Sequence, residues 1–297
     1  MLHLVDFSKR VFMNKIYHKG ELYLQELMNV RKESDSLKSM IHKEMPIIAR
    51  EFLENLNFCV LAFVNDKNIF TTVVSGLKPF IKTLNSKELL IDLTQTSHIE
   101  KEILNIENLD IGLLGLEFEN RMRIRINGKA SIKENRLHIV IKEAYSNCPK
   151  YINDRKIIEE LKTDNSSKIV NYEILSEECK QIIENSDTFF ISSSNKEKGA
   201  DVSHKGGRKG FVKIISSSKI EFYDFPGNNL YNTLGNIYLN PNISIIFIDF
   251  TDNKILHLKG TAKIKEELKS ERKRLKVVVE STNITIESNS FTIKYNK

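Results

Sequence analysis

Between Asp201 and Phe211 the chain concentrates a hydroxyl, an imidazole, three cations and three glycines in the run DVSHKGGRKGF. Glycines let the backbone approach a ligand closely and leave N–H groups exposed, which suits a phosphate. Lys205, Arg208 and Lys209 supply neutralising charge, and Ser203 and His204 supply hydrogen-bonding groups. No GK[ST] ending follows, so the run is not a P-loop. A solvated hairpin loop with turn glycines is the plain alternative. His204 is the one group here whose ordinary pKa lies near neutrality, although a lone histidine is more often a hydrogen-bonding residue than a catalyst.

A second run, FPGNNLYNTLGNI at 225–237, sets Asn228, Asn229, Tyr231 and Asn232 at an expected helix start. Helix N-termini attract anions, and amide side chains can read the edge of a heterocycle. Ordinary capping and turn chemistry explains the same asparagines. In SNCPKYI at 146–152, Cys148 beside Lys150 has the makings of a low-pKa thiol. No partner stands nearby, and a buried structural cysteine is the simpler reading. In RMRIRING at 121–128 the arginines alternate with apolar residues and share one strand face. That face reads first as solvated, with an anion site between domains as the alternative. No clustered ligand set points to a metal, and no spacing marks a Ser-His-Asp arrangement.

The elements that must position these groups are mostly short β-branched strands separated by turn residues. Strands are expected near 58–64, 69–75, 88–93, 111–118, 122–132 and 136–142, and again near 188–194, 200–204, 210–216, 219–224, 243–250, 254–264, 274–280 and 283–295. Residues 1–57 carry helical spacing, with Ser36 as a cap and a helix from Ile47 to Leu56 after Pro46. Short helices are expected from Thr96, from Ser176 to Asn185, and between Gly227 and Pro241. A loop entering a helix is expected over 148–162, and 163–168 reads as a polar linker.

The same signals occur twice. IFTTVVSGLKPFI at 69–81 is echoed by ADVSHKGGRKGFV at 200–212, RIRINGKASI at 123–132 by ILHLKGTAKI at 255–264, and RLHIVI at 136–141 by RLKVVV at 274–279. The offset is 131 from Phe80 to Phe211 and 132 from Gly128 to Gly260. So long a period is a duplicated domain rather than a solenoid unit. The expected division is a helical segment at 1–57, one barrel at 58–165 and a second at 166–297, with twin N-G and K-G turns. A cleft between two such barrels is a natural ligand site.

Bulk properties narrow the function. The 297 residues are 40% hydrophobic and 28% charged, enough for real cores under a polar surface. The net charge of +6 is spread among 39 acids, with no basic run interleaved with aromatics and no Trp, which disfavours nucleic acid. It suits small anionic ligands. No apolar run approaches the roughly 20 residues of a spanning helix, and the N-terminus does not look like a signal peptide. Cys59, Cys148 and Cys179 form no paired motif, so a reducing, cytoplasmic setting is expected.

Five motifs stand in one order: YHKGELYLQ at 17–25, NCPKYI at 147–152, DVSHKGGRKGFV at 201–212, GNNLYNTLGNIYLNP at 227–241 and IFIDF at 246–250. Together they resemble the pyridoxamine 5′-phosphate oxidase-related, flavin-nucleotide-binding family, over about residues 17–265. The resemblance implies a mainly β fold with helices, a tandem duplicated FMN-binding split β-barrel with an N-terminal helical segment. Such barrels usually pair around FMN, and a duplicated barrel supplies the pair as an internal pseudo-dimer, in a monomer or a homodimer. FMN is implied ahead of FAD. By the same resemblance Ser203, His204, Lys205, Asn229 and Asn232 hold phosphate, ribityl chain and ring edge. Phe211 and Tyr231 lie near the ring, and Arg208, Val212 and Asn228 complete the set. No catalytic residue and no metal are assigned.

Relatives often carry Arg where this chain has Leu230, so Lys205 or Arg208 is expected at the phosphate, and Leu230→Arg is expected to strengthen FMN binding. Relatives also read LRVNG where the second copy has LHLKG with His257 and Lys259; the first copy keeps Arg125 and Asn127 there. The first copy has SGLKP in place of SHKGG, which implies one site per chain. The implied function is an FMN-dependent oxidoreductase acting with a small-molecule substrate or an electron donor such as NAD(P)H, or with a redox partner protein. The alternatives are a non-catalytic flavin or haem-type binder or sensor, and a duplicated barrel that has lost its cofactor.

Overall fold

The computed structural model describes residues 16–65, 68–76, 78–94, 107–146, 149–160, 168–269, 272–289 and 293–295. The helix expected from Thr96, the linker at 163–168 except its last residue, and Cys148 lie outside the described residues. Helix α1 (Lys19–Leu27) opens with a reciprocal cap: His18 Nδ1 accepts from the Gly20 N–H, and Glu21 accepts from the His18 N–H. Helix α2 (Arg31–Ser36) and one 3-10 turn (Lys38–Met40) follow. Ser36 thus ends a helix instead of capping one. The chain after it leaves the helix because His42 exchanges backbone hydrogen bonds with Ala144 at 3.0 and 2.8 Å. Helix α3 (Ile47–Glu54) begins after Pro46.

Barrel one consists of β1 (Phe58–Asn65), β2 (Asn68–Ser75), β3 (Ile81–Thr83), β4 (Glu88–Asp92), β5 (Leu109–Glu117), β6 (Met122–Lys133) and β7 (Arg136–Ser146). They pair antiparallel in the order β2-β1-β5-β6-β7-β4-β3. Then come β8 (Ile157–Glu160), β9 (Lys168–Tyr172) and α4 (Glu177–Asn185), which Ser176 caps by accepting from the Cys179 N–H. Barrel two contains β10 (Thr188–Asn195), β11 (Gly199–Gly206), β12 (Val212–Ile214), β13 (Lys219–Tyr223), β14 (Asn242–Asp249), β15 (Lys254–Lys269) and β16 (Arg272–Ser288). Helix α5 (Asn232–Leu239) lies between β13 and β14, and β17 (Ile293–Tyr295) ends the described chain. The second sheet runs β11-β10-β14-β15-β16-β13-β12, the order of the first, with β9 added on β16. The fold is mainly β with a few helices, of the split-barrel kind.

Two sequence signals take a different form. Gly128 and Gly260 do not make turns. They sit at β-bulges, where the register shifts between Asn127 and Gly128 and between Lys259 and Gly260. A Cβ at either would strike a carbonyl of the paired strand, Val140 or Glu280. The helix expected within 148–162 is instead β8, paired antiparallel with β17. The expected break between the last two strands is absent, and β16 runs unbroken across it.

Both faces of the central strands are buried, which explains their near-continuous apolar runs. Cys59, Leu61 and Phe63 of β1 enter the core of barrel one, while Phe58, Val60 and Ala62 enter a second cluster. In barrel two, Phe189 and Ile191 point into their own core and Phe190 into that same second cluster. The shared cluster joins the barrels through Leu114, Phe118, Val202 and Ile246 as well. Burying one such Phe or Leu contributes about 1.5–3 kcal/mol. Backbones come close here: a Cβ on Gly112 would lie 2.9 Å from Asp201 Cα. Thr71 Oγ1 donates to Ser192 Oγ at 2.7 Å across the same interface.

Candidate functional site

Edge strand β11 carries the 203–206 run to the seam between the barrels, where a cleft forms. Its walls are the end of β11, the turn 223–234 before and into α5, the 150–151 turn, and Arg123 and Arg125 of β6. Eight of the ten sequence candidates line it: Ser203, His204, Lys205, Phe211, Asn228, Asn229, Tyr231 and Asn232. Arg208 is exposed and lines an adjoining groove with Lys209, while Val212 is buried in the core of barrel two.

Ser203, Lys205, Asn228 and Asn232 are each tied by a hydrogen bond. Ser203 Oγ and Thr233 Oγ1 lie 2.5 Å apart, binding β11 to α5. Lys205 Nζ donates to Asp224 Oδ1 at 2.6 Å. Asn228 Oδ1 accepts from the Leu230 N–H at 3.2 Å, an Asx turn. Asn229 and Tyr231 both adopt left-handed backbone, φ 57° and 60°. Asn232 Nδ2 donates to Glu21 Oε1 at 2.5 Å. Tyr231 is half-buried, and burial followed by the Asp224 charge pushes its hydroxyl pKa well up.

His204 does not behave as a group titrating near neutrality. It is 4% exposed, and its Nδ1 faces Arg123 Nη1 at 3.1 Å. Burial, then the charges of Arg123, Arg155, Arg125 and Lys205, lower its pKa well below the ordinary range. It stands as a neutral imidazole whose buried Nε2 has no protein partner among the described residues.

The arginine stripe of β6 is not a solvated face. Arg121 is in a left-handed turn and exposed, but Arg125 is buried. Its Nη1 lies 3.3 Å from Asp201 Oδ2, with Tyr145 and Asn127 donating to the same carboxylate. Burial works against the guanidinium charge, but Asp201 and Tyr145 outweigh it, so the Arg125 pKa rises. Alternation could show that the arginines share a face; it could not show that Asp201 of the other barrel covers it. Leu230 was also misplaced by its neighbours in sequence. Its side chain is 3% exposed and packs on Tyr17 and Tyr145, so that position does not point into the cleft. Lys259 lies over the Phe70 ring, 4.5 Å from its centroid, outside the cleft.

Sequence reasoning gave no role to Asp224, Tyr151 or α1. Tyr151 reaches Pro226 O with its hydroxyl at 3.1 Å and lies 5.4 Å from the Phe225 ring, with Lys150 over its face. Phe225 and Phe211 are 6.2 Å apart, and Phe211 stacks on Phe189 at 5.5 Å. The cleft itself holds about 100 Å³, whereas the adjoining groove, walled by Tyr151, Phe211 and Phe225, holds about 750 Å³. Ligand pockets are usually roughly 300–1,000 Å³. The cleft by itself therefore suits a compact group, and a larger planar body fits only with the groove included. Among the described residues no cluster of His, Cys, Asp and Glu forms a metal site, and no helix is long and apolar enough to cross a membrane.

The chain matches no protein-family model and no curated protein. Solved structures do match. A candidate pyridoxamine 5′-phosphate oxidase of Lactobacillus delbrueckii is 13% identical, over 39% of this chain and 98% of that one, with a TM-score of 0.33. A pyridoxinephosphate oxidase-family protein of Clostridium acetobutylicum, related to general stress protein 26, is 12% identical over 36% and 90%, with a TM-score of 0.29. HutZ, the haem storage protein of Vibrio cholerae, is 12% identical over 38% and 95%, also with a TM-score of 0.29. Two of these three are described as pyridoxamine or pyridoxine phosphate oxidase-type proteins, the family the motifs resemble. At these scores the likeness says nothing about the cleft.

Proposed function

We propose that the two barrels are a duplicated pair and that the cleft between them, with its groove, binds a flavin nucleotide, FMN before FAD. One observation supports this reading above others. Two separate runs, 203–206 and 228–232, converge with cations of the other barrel on a polar cleft that opens onto an aromatic-walled groove. The residues fit the group. Lys205 and Arg123 stand where a phosphate needs charge, and Lys150 is beside them. Phe211, Phe225 and Tyr151 offer ring faces to a planar heterocycle. The buried Nε2 of His204 is a donor in need of an acceptor.

The function that follows is a flavin-dependent oxidoreductase. A bound flavin supplies the electron transfer, and the protein supplies binding, orientation and charge. Asn228, Asn229, Tyr231 and Asn232 present the turn that faces the ligand. Lys205 neutralises anionic oxygen, with Asp224 holding the ammonium in place. His204, kept neutral, donates without changing charge. A second reading, a flavin binder that stores or senses its ligand, draws support from the same imidazole, since His204 offers no proton transfer near pH 7.

Fluorescence titration of the purified chain with FMN and with riboflavin tests binding, with saturable quenching at micromolar FMN as the expected result. No binding of either at high micromolar concentration sinks the flavin reading. Anaerobic bleaching of the loaded protein by NADH or NADPH separates the oxidoreductase from the store or sensor.

A further inference from the structure

Helices α1 and α2 contribute no side chain to the cleft, yet they hold the turn that lines it. Gln25 Nε2 donates to Leu230 O at 3.1 Å, and Ser34 Oγ shares its proton between Val30 O at 2.8 Å and Asn229 O at 2.9 Å. Glu21 Oε1 accepts from Asn232 Nδ2 at 2.5 Å. The first turn of α1 lies directly on α5: a Cβ on Gly235 would sit 2.7 Å from Glu21 N, and one on Gly20 would strike the Gly235 carbonyl. Between these fixed points Asn229 and Tyr231 keep left-handed backbone. Asparagine tolerates that shape, but a bulky residue such as Tyr231 holds it only when its surroundings impose it.

Glu21 is 2% exposed, beside a small polar chamber of about 10 Å³, room for about one water. We infer that Glu21 is a positioning residue for the cleft: through Asn232 and the α1–α5 contact it holds the 229–232 turn in its ligand-facing shape. The inference rests on the reading of the cleft as a flavin site only for the identity of the ligand.

The chamber also makes the hold sensitive to pH. Burial pushes the Glu21 carboxyl up to about 8. The charged and titratable groups facing it are His18 from its own cap, Lys198 before β11, Glu143 of β7 and Asp201 of β11, while α5 faces it with the neutral amides of Asn232 and Asn236. His18 is pushed down to about 4, by burial and then by Lys198. Within the His18–Glu21 pair, therefore, only Glu21 changes charge between pH 6 and 9. An ionised carboxylate needs more solvation than room for about one water and the His18 and Asn232 donors supply, so ionisation favours a looser α1–α5 contact.

Two measurements on the full chain test this: FMN titrations from pH 6.5 to 9.5, and hydrogen exchange of the 225–234 segment without ligand, corrected for intrinsic rate. For the wild type, affinity should fall about tenfold between pH 7 and 9 and exchange should quicken. Glu21→Gln, which resembles the protonated acid, should be flat in both. Ser34→Ala should loosen the segment at every pH while keeping the wild-type slope, and it carries the test should the Glu21 variant not fold. If FMN binds but neither affinity nor exchange responds to pH or to either variant, the positioning role is wrong and the flavin reading survives. If exchange responds as expected but no FMN binds, the positioning role stands and the flavin reading falls.

Discussion

Arg123 Nη1 of barrel one lies 3.1 Å from His204 Nδ1 of barrel two. A guanidinium only donates, so Nδ1 must be the acceptor and the ring proton must sit on Nε2. The imidazole is therefore locked in one tautomer by a residue from the other barrel. Nitrogen-15 NMR should find His204 neutral, protonated on Nε2, from pH 5.5 to 8. Arg123→Met removes the nearest opposing charge and should move its titration upward, towards the ordinary range near 6.5. A wild-type His204 that titrates at 6.5 would contradict the geometry.

Lys205 and Arg208 should part company as phosphate ligands. Lys205 lines the cleft, and its removal leaves the Asp224 carboxylate facing the incoming anion. Arg208 is exposed in the outer groove. Lys205→Ala should weaken FMN about tenfold or more, the usual scale for a charge-assisted contact, with much less effect on riboflavin. Arg208→Ala should cost FMN less. Parallel titrations of the two single variants with both ligands decide the order.

Leu230→Arg should not rescue phosphate binding. The side chain at 230 is buried in an apolar cluster with Tyr17 and Tyr145, where a guanidinium would lose its solvation. The expected outcome is a loss of about 3 kcal/mol in urea unfolding, the scale of an uncompensated buried charge, and no selective gain for FMN. A folded variant with tighter FMN and unchanged stability would show that this position does reach the ligand.

The His18–Glu21 pair should set the pH dependence of stability. Glu21 holds its proton more tightly folded than unfolded, so its contribution is full below pH 4.5 and is lost as pH rises to about 8. His18 does the reverse: its contribution is full above pH 6.5 and is lost as pH falls towards about 4. The two slopes oppose each other between 4.5 and 6.5. From about 6.5 to 8 Glu21 acts alone within the pair, and stability should fall by up to about 1.4 kcal/mol per pH unit. Urea unfolding at pH 6.5 and 8 measures the slope, and Glu21→Gln should abolish it.

Much of the architecture was legible locally. Alternating β-branched runs located most strands, Ser176 announced α4, and the paired glycines marked matching places in both sheets even though they are bulges and not turns. The 201–211 and 225–237 runs stood out as candidates because hydroxyls, amides, cations and glycines gather there within a few residues, and the fold brings much of both to one cleft. Such signals live in short stretches of chain, and short stretches carry them whatever the rest of the molecule does.

What only the tertiary structure decided is which side chain each of these groups meets. The sequence placed Arg123 and Arg125 on one strand face but did not say that His204 and Asp201 lie against it. It set Leu230 beside Asn229 yet could not show that the two point to different sides, one to the cleft and one to Tyr17. It read Ile157 and Ile158 as helix because their strand partner, Ile293–Tyr295, stands more than 130 residues away. Glu21 carried no signal of its own in the sequence, and its burial under α5 exists only in the fold. Periodicity reports which face a residue occupies. Burial, charge pairing and the ionisation of a carboxyl depend on what another part of the chain brings to that face, and only the folded packing of two barrels and their N-terminal helices determines it.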